Sequence, residues 1–286
     1  MTADALILDG EFRLLRPAGS GGSARVYLAE EVASGARVAV KMLRHNLAAD
    51  ADMQGRFARE AAVLSRLEHP NIVRLLRFEQ SAGGVLLLLE WVDGRGLDQV
   101  VAEWPMQTPR ALRVLRQLAS ALAAIHAAGV VHRDLKPGNV MLEGEGDAER
   151  VRLLDFGIAR FADPVLAQDQ FQSALGHFTG TPAYISPEQA SGRTADARSD
   201  VYTFGVLAYL VLTGHLPFVG KSDVDVLAQH LTKRPPRLSP ADQSLEGSRL
   251  EALVMQCLEK QADDRPADGA ALVKALEGDV TSPRAG

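Results

Sequence analysis

His132-Arg133-Asp134-Leu135-Lys136-Pro137-Gly138-Asn139 is the stretch on which the reading of this chain turns. It follows a helical pattern ending at Ala127-Ala128-Gly129 and holds the groups of a reaction in one short loop. Asp134 can accept a hydroxyl proton or orient the hydroxyl, Lys136 can neutralise a transferring phosphoryl group, and Asn139 can offer an oxygen to a hard cation. Downstream, the apolar run Val151 to Leu154 delivers Asp155 at a strand end, followed by Phe156 as an aromatic anchor and Gly157 as a hinge. Asp155 suits magnesium, which takes one or two carboxylates together with substrate phosphates. Taken alone, this tripeptide reads as a β-turn.

Upstream, Gly19-Ser20-Gly21-Gly22-Ser23-Ala24-Arg25-Val26 lies between two strand patterns. Glycines let a backbone approach a ligand closely, and successive N–H groups can cradle phosphate oxygens. A flexible hairpin turn explains the same residues equally well. The turn does not open a helix, which argues against a dinucleotide-binding fold. Val38-Ala39-Val40-Lys41 then sets a lysine in an apolar strand, in a chain where only six of the 31 basic residues are lysine. That choice suggests a compact point charge with three donors, although a surface lysine at a strand end fits the pattern too. Glu60, three residues after Phe57 and four before Leu64, falls on or beside the inward face of a helix and needs a cationic partner there. Lys41 is one candidate; Arg56 or Arg59 at a solvated edge is the other.

Composition narrows the classes further. The 286 residues carry 36 acidic and 31 basic side chains, a net charge of −5 and a pI near 5.8, which gives no electrostatic case for nucleic acid or an anionic membrane. With 47% hydrophobic and 23% charged residues, a globular chain is expected and disorder throughout is excluded. The single Cys257 rules out an internal disulfide and a thiolate metal cluster, and reads as a small core residue in a reducing compartment. The longest apolar runs, Val85 to Leu89 and Val206 to Leu212, fall short of the roughly 18 to 20 residues of a membrane helix. Met1 to Asp9 lacks the basic start of a signal peptide, so a cytoplasmic location is the default expectation.

Phe12 to about Glu90 reads mainly as short strands, such as Arg25 to Leu28 and Arg37 to Val40, interrupted by one helix from Met53 to Leu67 that His69-Pro70-Asn71 stops. After Asp93-Gly94-Arg95-Gly96 the texture becomes helical: Leu112 to Ala128, Thr203 to Leu212, Val224 to Thr232 and Leu250 to Leu258. Glu143 to Arg150 is expected to be a surface hairpin loop, and Gly278 to Gly286 a frayed tail. No internal repeat is present.

In this order, the Gly-rich turn, strand lysine, helix glutamate, catalytic loop and Asp-Phe-Gly resemble the protein-kinase signature set, most closely that of bacterial, eukaryotic-like Ser/Thr kinases. The resemblance covers Phe12 to Leu276 and extends to Ser186-Pro187-Glu188, Asp200-Val201-Tyr202-Thr203-Phe204-Gly205 and Arg265-Pro266. It implies an α+β, bilobal kinase-like fold: a domain over 12–277, a small antiparallel β-rich lobe with one main helix over about 12–90, a mainly helical lobe over about 93–277, and tails 1–11 and 278–286. It implies transfer of the γ-phosphate of ATP to Ser/Thr hydroxyls of proteins, with Mg²⁺ or Mn²⁺.

By the same resemblance, Gly19, Ser20, Gly21, Gly22 and Val26 cover the ATP phosphates, and Lys41, held by Glu60, contacts the α- and β-phosphates. Asp134 is the catalytic base, Lys136 meets the γ-phosphate, and Asn139 and Asp155 hold the metal. Leu89 takes the gatekeeper position, the backbone of Glu90 and Val92 binds the adenine edge, and Val26, Ala39 and Met141 sandwich its ring. Leu64, His132 and Phe156 resemble an internal spine. Thr179, or less readily Ser173, carries an activating phosphate that Arg133 pairs with, while Thr181 bonds the catalytic loop. Ala24 departs from a third glycine found elsewhere in the family, and a small residue still permits the turn.

The expected partners are protein substrates, and self-association for trans-autophosphorylation is conceivable. The chain could also be the cytosolic part of a longer, membrane-anchored protein. Two other classes compete: a pseudokinase scaffold, which usually lacks at least one of Lys41, Glu60, Asp134, Asn139 and Asp155, and a small-molecule phosphotransferase, which has little purpose for the Ser186-Pro187-Glu188 to Arg265 platform. That platform implies a buried Glu188–Arg265 pair, with Asp200 bracing the catalytic loop. Arg265→Ala should therefore destabilise the fold by about 3 to 5 kcal/mol, read as a lower melting temperature and folded yield; an unchanged melting temperature counts against the pair.

Overall fold

The computed structural model describes residues 6–7, 10–48, 50–81, 84–103, 106–155, 182–238 and 245–282. The chain divides into two compact units, Met1–Asp93 and Gly94–Gly286. The first is β-rich and the second mainly helical, which makes the fold α+β.

Among the described residues six antiparallel strands build the first unit: β1 (Leu6–Ile7), β2 (Phe12–Ser20), β3 (Ala24–Glu31), β4 (Arg37–Leu43), β5 (Leu75–Ser81) and β6 (Gly84–Glu90), in the order β1-β2-β3-β4-β6-β5. Side chains alternate between the two faces of a strand. One face carries Phe12, Leu14, Tyr27, Ala29, Val38, Val40, Leu86 and Leu88, all buried in one apolar cluster with Met42 packed against it. Curvature protects that face. In a flat sheet β2 and β5 lie four strand spacings apart, about 19 Å. Yet Arg77 of β5 reaches Glu11 at 3.0 Å and sits 5.4 Å from the centre of the Phe12 ring. The sheet is therefore curled, and β2 supplies two register shifts, between Leu14 and Arg16 and between Pro17 and Gly19, of the kind that bend a strand.

The opposite face is covered by α1 (Ala51–Leu64), whose buried residues Phe57, Glu60, Ala61 and Leu64 follow the three- and four-residue steps of one helical stripe. Asp50 caps it by accepting from the N–H groups of Asp52 and Met53. The helix starts two residues before the expected Met53 and ends three before the expected Leu67. Polar Asp52 and the cap lie outside the apolar stripe, and Ser65 to Leu67 form a turn rather than another helical step.

The second unit contains β7 (Gly94–Gly96), β8 (Val140–Glu143) and β9 (Arg150–Leu153) as a small antiparallel sheet. Among the described residues its helices are α2 (Leu97–Val101), α3 (Thr108–Ala127), α4 (Pro187–Ala190), α5 (Ala197–Thr213), α6 (Asp223–Thr232), α7 (Arg249–Cys257) and α8 (Gly269–Ala275). The loop expected over Glu143 to Arg150 joins β8 to β9 through a single 3-10 turn. Every residue of α5 from Ser199 to Thr213 is buried, as expected of a helix apolar all round. Helices α3, α4, α7 and α8 pack about it. It begins six residues before the expected Thr203, because Asp196 and Ser199 form a reciprocal capping box that an apolar pattern does not mark. Cys257 is fully buried beside α5, and burial pushes its thiol up to about 12.

A buried polar layer runs between α4, α5, α6 and the turn after α7. Arg265 donates through Nε to the Glu259 carbonyl (2.7 Å), through Nη1 to Glu188 (2.9 Å) and the Arg198 carbonyl (2.9 Å), and through Nη2 to Glu188 (3.1 Å) and the Lys260 carbonyl (3.0 Å). All five guanidinium donors are thus used. Burial alone would raise the Glu188 carboxyl, but the hydrogen bonds from Arg265 and Ser199 outweigh it and hold it below the usual range. Beside this pair, Tyr202 Oη lies 3.0 Å from His230 Nδ1 and accepts from Lys260 Nζ at 3.1 Å. Burial, then the Lys260 charge, pushes His230 down to about 3.

Two outcomes follow from this packing. A Cβ built on Gly269 would sit within 3.0 Å of the α3 backbone at Leu122 and Ala123. Gly269→Ala should push α8 off α3 and lower stability by about 1 to 3 kcal/mol in thermal unfolding. The buried His230 and His132 stay neutral when folded, each with its pKa lowered first by burial. Lys260 and Tyr202 face His230; Asp200, Asp134 and Asp155 face His132. The unfolded chain takes up those protons as pH drops below 6.5, so stability falls by up to about 1.4 kcal/mol per pH unit per histidine from there downward. Melting temperature should decline between pH 7 and 5, above the window of the carboxylates, and less steeply in His230→Gln.

Candidate active site

The first unit holds a turn and a buried ion pair. The Gly-rich turn links β2 to β3: Gly21 N–H donates to the Ala24 carbonyl at 2.9 Å. Arg44, just past β4, ties the turn down, its N–H donating to the Ser23 carbonyl (2.9 Å) and its Nε to the Gly21 carbonyl (3.0 Å). A Cβ on Gly21 would meet nothing within 4 Å, and one on Gly19 only Val26 at 3.9 Å. Neither glycine has a positive φ. The chain's own packing does not demand glycine at these positions, so what their bareness leaves is room for an external group. Ala24, at the departure from the family pattern, is buried in β3 opposite Leu43.

Lys41 is 7% exposed and Glu60 2% exposed, and Lys41 Nζ lies 2.7 Å from Glu60 Oε1. Of the two readings of Glu60, the buried pair with Lys41 is the one the structure contains. In the register of the sheet Val26 lies opposite Lys41 and Ala39 opposite Leu89, which places all four on the face that α1 covers. The backbone N–H of Glu90 donates to the Arg74 carbonyl at 3.0 Å, and its carboxylate accepts from Arg74 N–H at 2.6 Å. Val92 is buried just after it.

The second unit holds the residues of the loop from His132 to Asn139. Arg133 has φ of 66°, a left-handed conformation costing a non-glycine residue about 1 to 2 kcal/mol. Asp200, fully buried on α5, holds it there: Oδ2 accepts the His132 N–H at 2.7 Å and Oδ1 the Arg133 N–H at 2.8 Å. Gln189 Nε2 donates to the Arg133 carbonyl at 3.0 Å. His126 completes the support. Its Nδ1 accepts the Gly269 N–H (2.9 Å), leaving the proton on Nε2 to donate to Asp200 (2.9 Å). Burial outweighs the nearby Asp200, Asp134 and Asp155 and keeps His132 neutral; its Nδ1 faces the Asp134 N–H (3.3 Å) and its Nε2 the Leu154 carbonyl (3.4 Å).

Asp134 is thereby presented with one oxygen already engaged. Lys136 Nζ donates to Oδ2 at 2.7 Å, and Asn139 Nδ2 donates to the same oxygen at 3.1 Å and to the Asp134 carbonyl at 2.8 Å. The amide nitrogen of Asn139 is occupied on the Asp134 side, which leaves its side-chain oxygen Oδ1 as the group on offer. Leu154 N–H donates to the backbone carbonyl of Asn139 at 2.8 Å, so Asp155 follows directly from the residue bonded to Asn139. Both are hard oxygen donors of the kind that suit Mg²⁺. Among the described residues no group of three or more His, Cys, Asp or Glu side chains could hold a metal unaided. A cation here would need further oxygens, such as those of a phosphate. Met141 is half-buried on β8.

Phe156, Gly157, Ser173, Thr179 and Thr181 lie outside the described residues. The supports that sequence reasoning did not single out are His126, Gln189 and Arg44. His126 follows the buried Ile125 on α3 and its role depends on Asp200 and Gly269, 74 and 143 residues away. No local pattern carries such a signal.

The model of the protein kinase domain family matches residues 12–276. The chain is 48% identical to the serine/threonine-protein kinase pkn2 of Myxococcus xanthus over 96% of its own length and 33% of that protein's. It is 44% identical to the serine/threonine-protein kinase PkaA of Streptomyces coelicolor, over 81% of this chain and 41% of that one. It therefore spans about a third to two-fifths of the length of these relatives. The crystal structure of the Mycobacterium tuberculosis PknI kinase domain matches with a TM-score of 0.72 at 25% identity, covering 96% of this chain and 98% of that one. Among the described residues no helix is long and apolar enough to cross a membrane. The chain belongs to the protein kinase family, and the relatives named above are serine/threonine-protein kinases of bacteria.

Proposed function

We propose that the chain transfers the γ-phosphate of ATP to Ser and Thr hydroxyls of proteins, its own activation segment included. The observation that carries this reading is the Asp134 carboxylate, one oxygen anchored by Lys136 and Asn139 on a loop that Asp200 holds in a strained conformation. Strain retained at such a loop requires surroundings that over-determine it.

Asp134 would orient the substrate hydroxyl and take its proton, while Lys136, now on Asp134, would turn to neutralise charge on the transferred group. Lys41, fixed by Glu60, would bind the α- and β-phosphates, and the bare turn from Gly19 to Gly22 would admit phosphate oxygens to its backbone N–H groups. Val26, Ala39, Leu89 and Met141 would offer apolar contact to adenine, with Glu90 and Val92 supplying backbone groups to its edge. Asn139 and Asp155 would hold Mg²⁺ or Mn²⁺, whose charge screens the phosphates against the attacking oxygen. Phosphate on Thr179 or Ser173 would pair with Arg133, and Thr181 would bond the catalytic loop. Protein substrates, self-association during autophosphorylation and a cytoplasmic location belong to the same reading.

The deciding experiment measures transfer of labelled γ-phosphate onto the chain and onto a basic protein, with Mg²⁺ or Mn²⁺, for the wild type and Asp134→Asn. Label on Ser or Thr that falls about 10²-fold or more in the variant is expected. A folded, ATP-binding wild type that transfers nothing overturns the reading in favour of a scaffold.

A further inference from the structure

Of the ten residues of α6 only His230 is buried, whereas α7 buries five of its nine. The helix is nevertheless apolar on a second side. Val224, Leu227, Ala228 and Leu231 recur at the i, i+3, i+4 and i+7 steps of one stripe. Val224 is 55% exposed, Ala228 is exposed, and Leu227 and Leu231 are half-buried. Ala228 precedes His230 by two residues, which places it nearly opposite on the helix, toward solvent.

The two ends of this stripe carry opposite charge. Asp223 and Asp225 are exposed at its start, and Lys233, Arg234 and Arg237 are exposed at and beyond its end. Both ends are fixed by hydrogen bonds. Ser222 caps the helix, and Asp225 accepts the Lys221 N–H at 3.0 Å and Gln229 Nε2 at 3.2 Å. Lys233 N–H donates to the Gln229 carbonyl at 2.9 Å, and the Arg237 carbonyl accepts from Tyr209 Oη at 3.4 Å. Pro235 and Pro236 keep the residues between from continuing the helix. Among the described residues Asp223, Lys233, Arg234 and Arg237 form no ion pair. Ala228 lies midway, five residues after Asp223 and five before Lys233.

We propose that α6 is a self-association surface, on which two copies of the chain pair antiparallel across a two-fold axis at Ala228, stripe against stripe, with Asp223 of each copy against Lys233 of the other. A surface that meets itself across a two-fold axis must complement itself, and a helix acidic at one end, basic at the other and apolar between does so only when the second copy runs the opposite way. That direction also sets each helix N-terminus beside the C-terminus of its neighbour, the favourable order of the two dipoles. Each charge lies about 7.5 Å along the axis from Ala228, so the pairs fall in register, and the small side chain at the crossing lets the helices approach closely. One pair of short helices covers less than the roughly 1,200 Å² of a stable interface, so the association is weak and reversible. It rests on this surface alone and not on phosphoryl transfer.

The test is sedimentation velocity of the whole chain without nucleotide, from about 1 μM to several hundred micromolar, at low and high salt. A monomer–dimer equilibrium that weakens with salt is expected. Ala228→Arg should leave only monomer, and Asp223→Lys or Lys233→Asp alone should each weaken the dimer about tenfold or more by placing like charges opposite one another. All three positions are at the surface, so melting temperatures should stay at that of the wild type. The deciding arm mixes the two charge variants: Asp223→Lys with Lys233→Asp restores attraction at both ends, so the mixture should associate where neither variant does alone. A chain monomeric throughout overturns the proposal, as does a dimer that Ala228→Arg leaves intact or a mixture that associates no better than its components.

Discussion

One carboxylate organises the second unit. Asp200 lies on a helix with no solvent-facing side over most of its length, so its charge is tolerated only because three donors converge on it: the N–H groups of His132 and Arg133 and the Nε2–H of His126. The consequence runs outward. Asp200 holds Arg133 in the left-handed region, that conformation turns the chain to present Asp134, and Lys136 and Asn139 close on Asp134 from the following turn. Through His126 the same carboxylate reaches the N-terminus of α8, where Gly269 meets the α3 backbone.

Other buried charges follow a similar rule with different partners. Lys41 and Glu60 neutralise one another between β4 and α1, and Glu188 and Arg265 do so beneath the segment that ends at α4. Replacing a buried ion pair by apolar residues of equal volume is often neutral or stabilising, so stability alone does not account for these pairs. Their effect is placement. An ammonium fixed at 2.7 Å to one carboxylate oxygen is a cation at a defined point on the sheet, and an arginine with five satisfied donors joins chain segments that apolar packing would leave free to slide.

Much of this was legible in the residues. Glu60 sits within the stripe Phe57, Ala61 and Leu64, so its burial and its need for a cation could be read from spacing, and the pair with Lys41 is what forms. The two textures of the chain, strands to about Glu90 and helices after Gly96, reappear as the two units. Helix limits were less legible: α5 starts at Ala197 because Asp196 and Ser199 cap it, and polar caps leave no mark on an apolar period. His126, Gln189 and Lys260 were not visible, since each acquires its role from a group far along the chain.

By itself the sequence determined the family, the elements and the identity of the reactive side chains, because periodicity, capping and motif spacing are local properties that a linear chain carries in full. Tertiary structure decided which oxygen of Asp134 is engaged by Lys136 and Asn139, which tautomer His126 adopts, why Arg133 tolerates its backbone, and which of six lysines is half-buried against aromatic rings. Those properties depend on burial and on partners brought together from distant parts of the chain, and neither exists until the chain has folded.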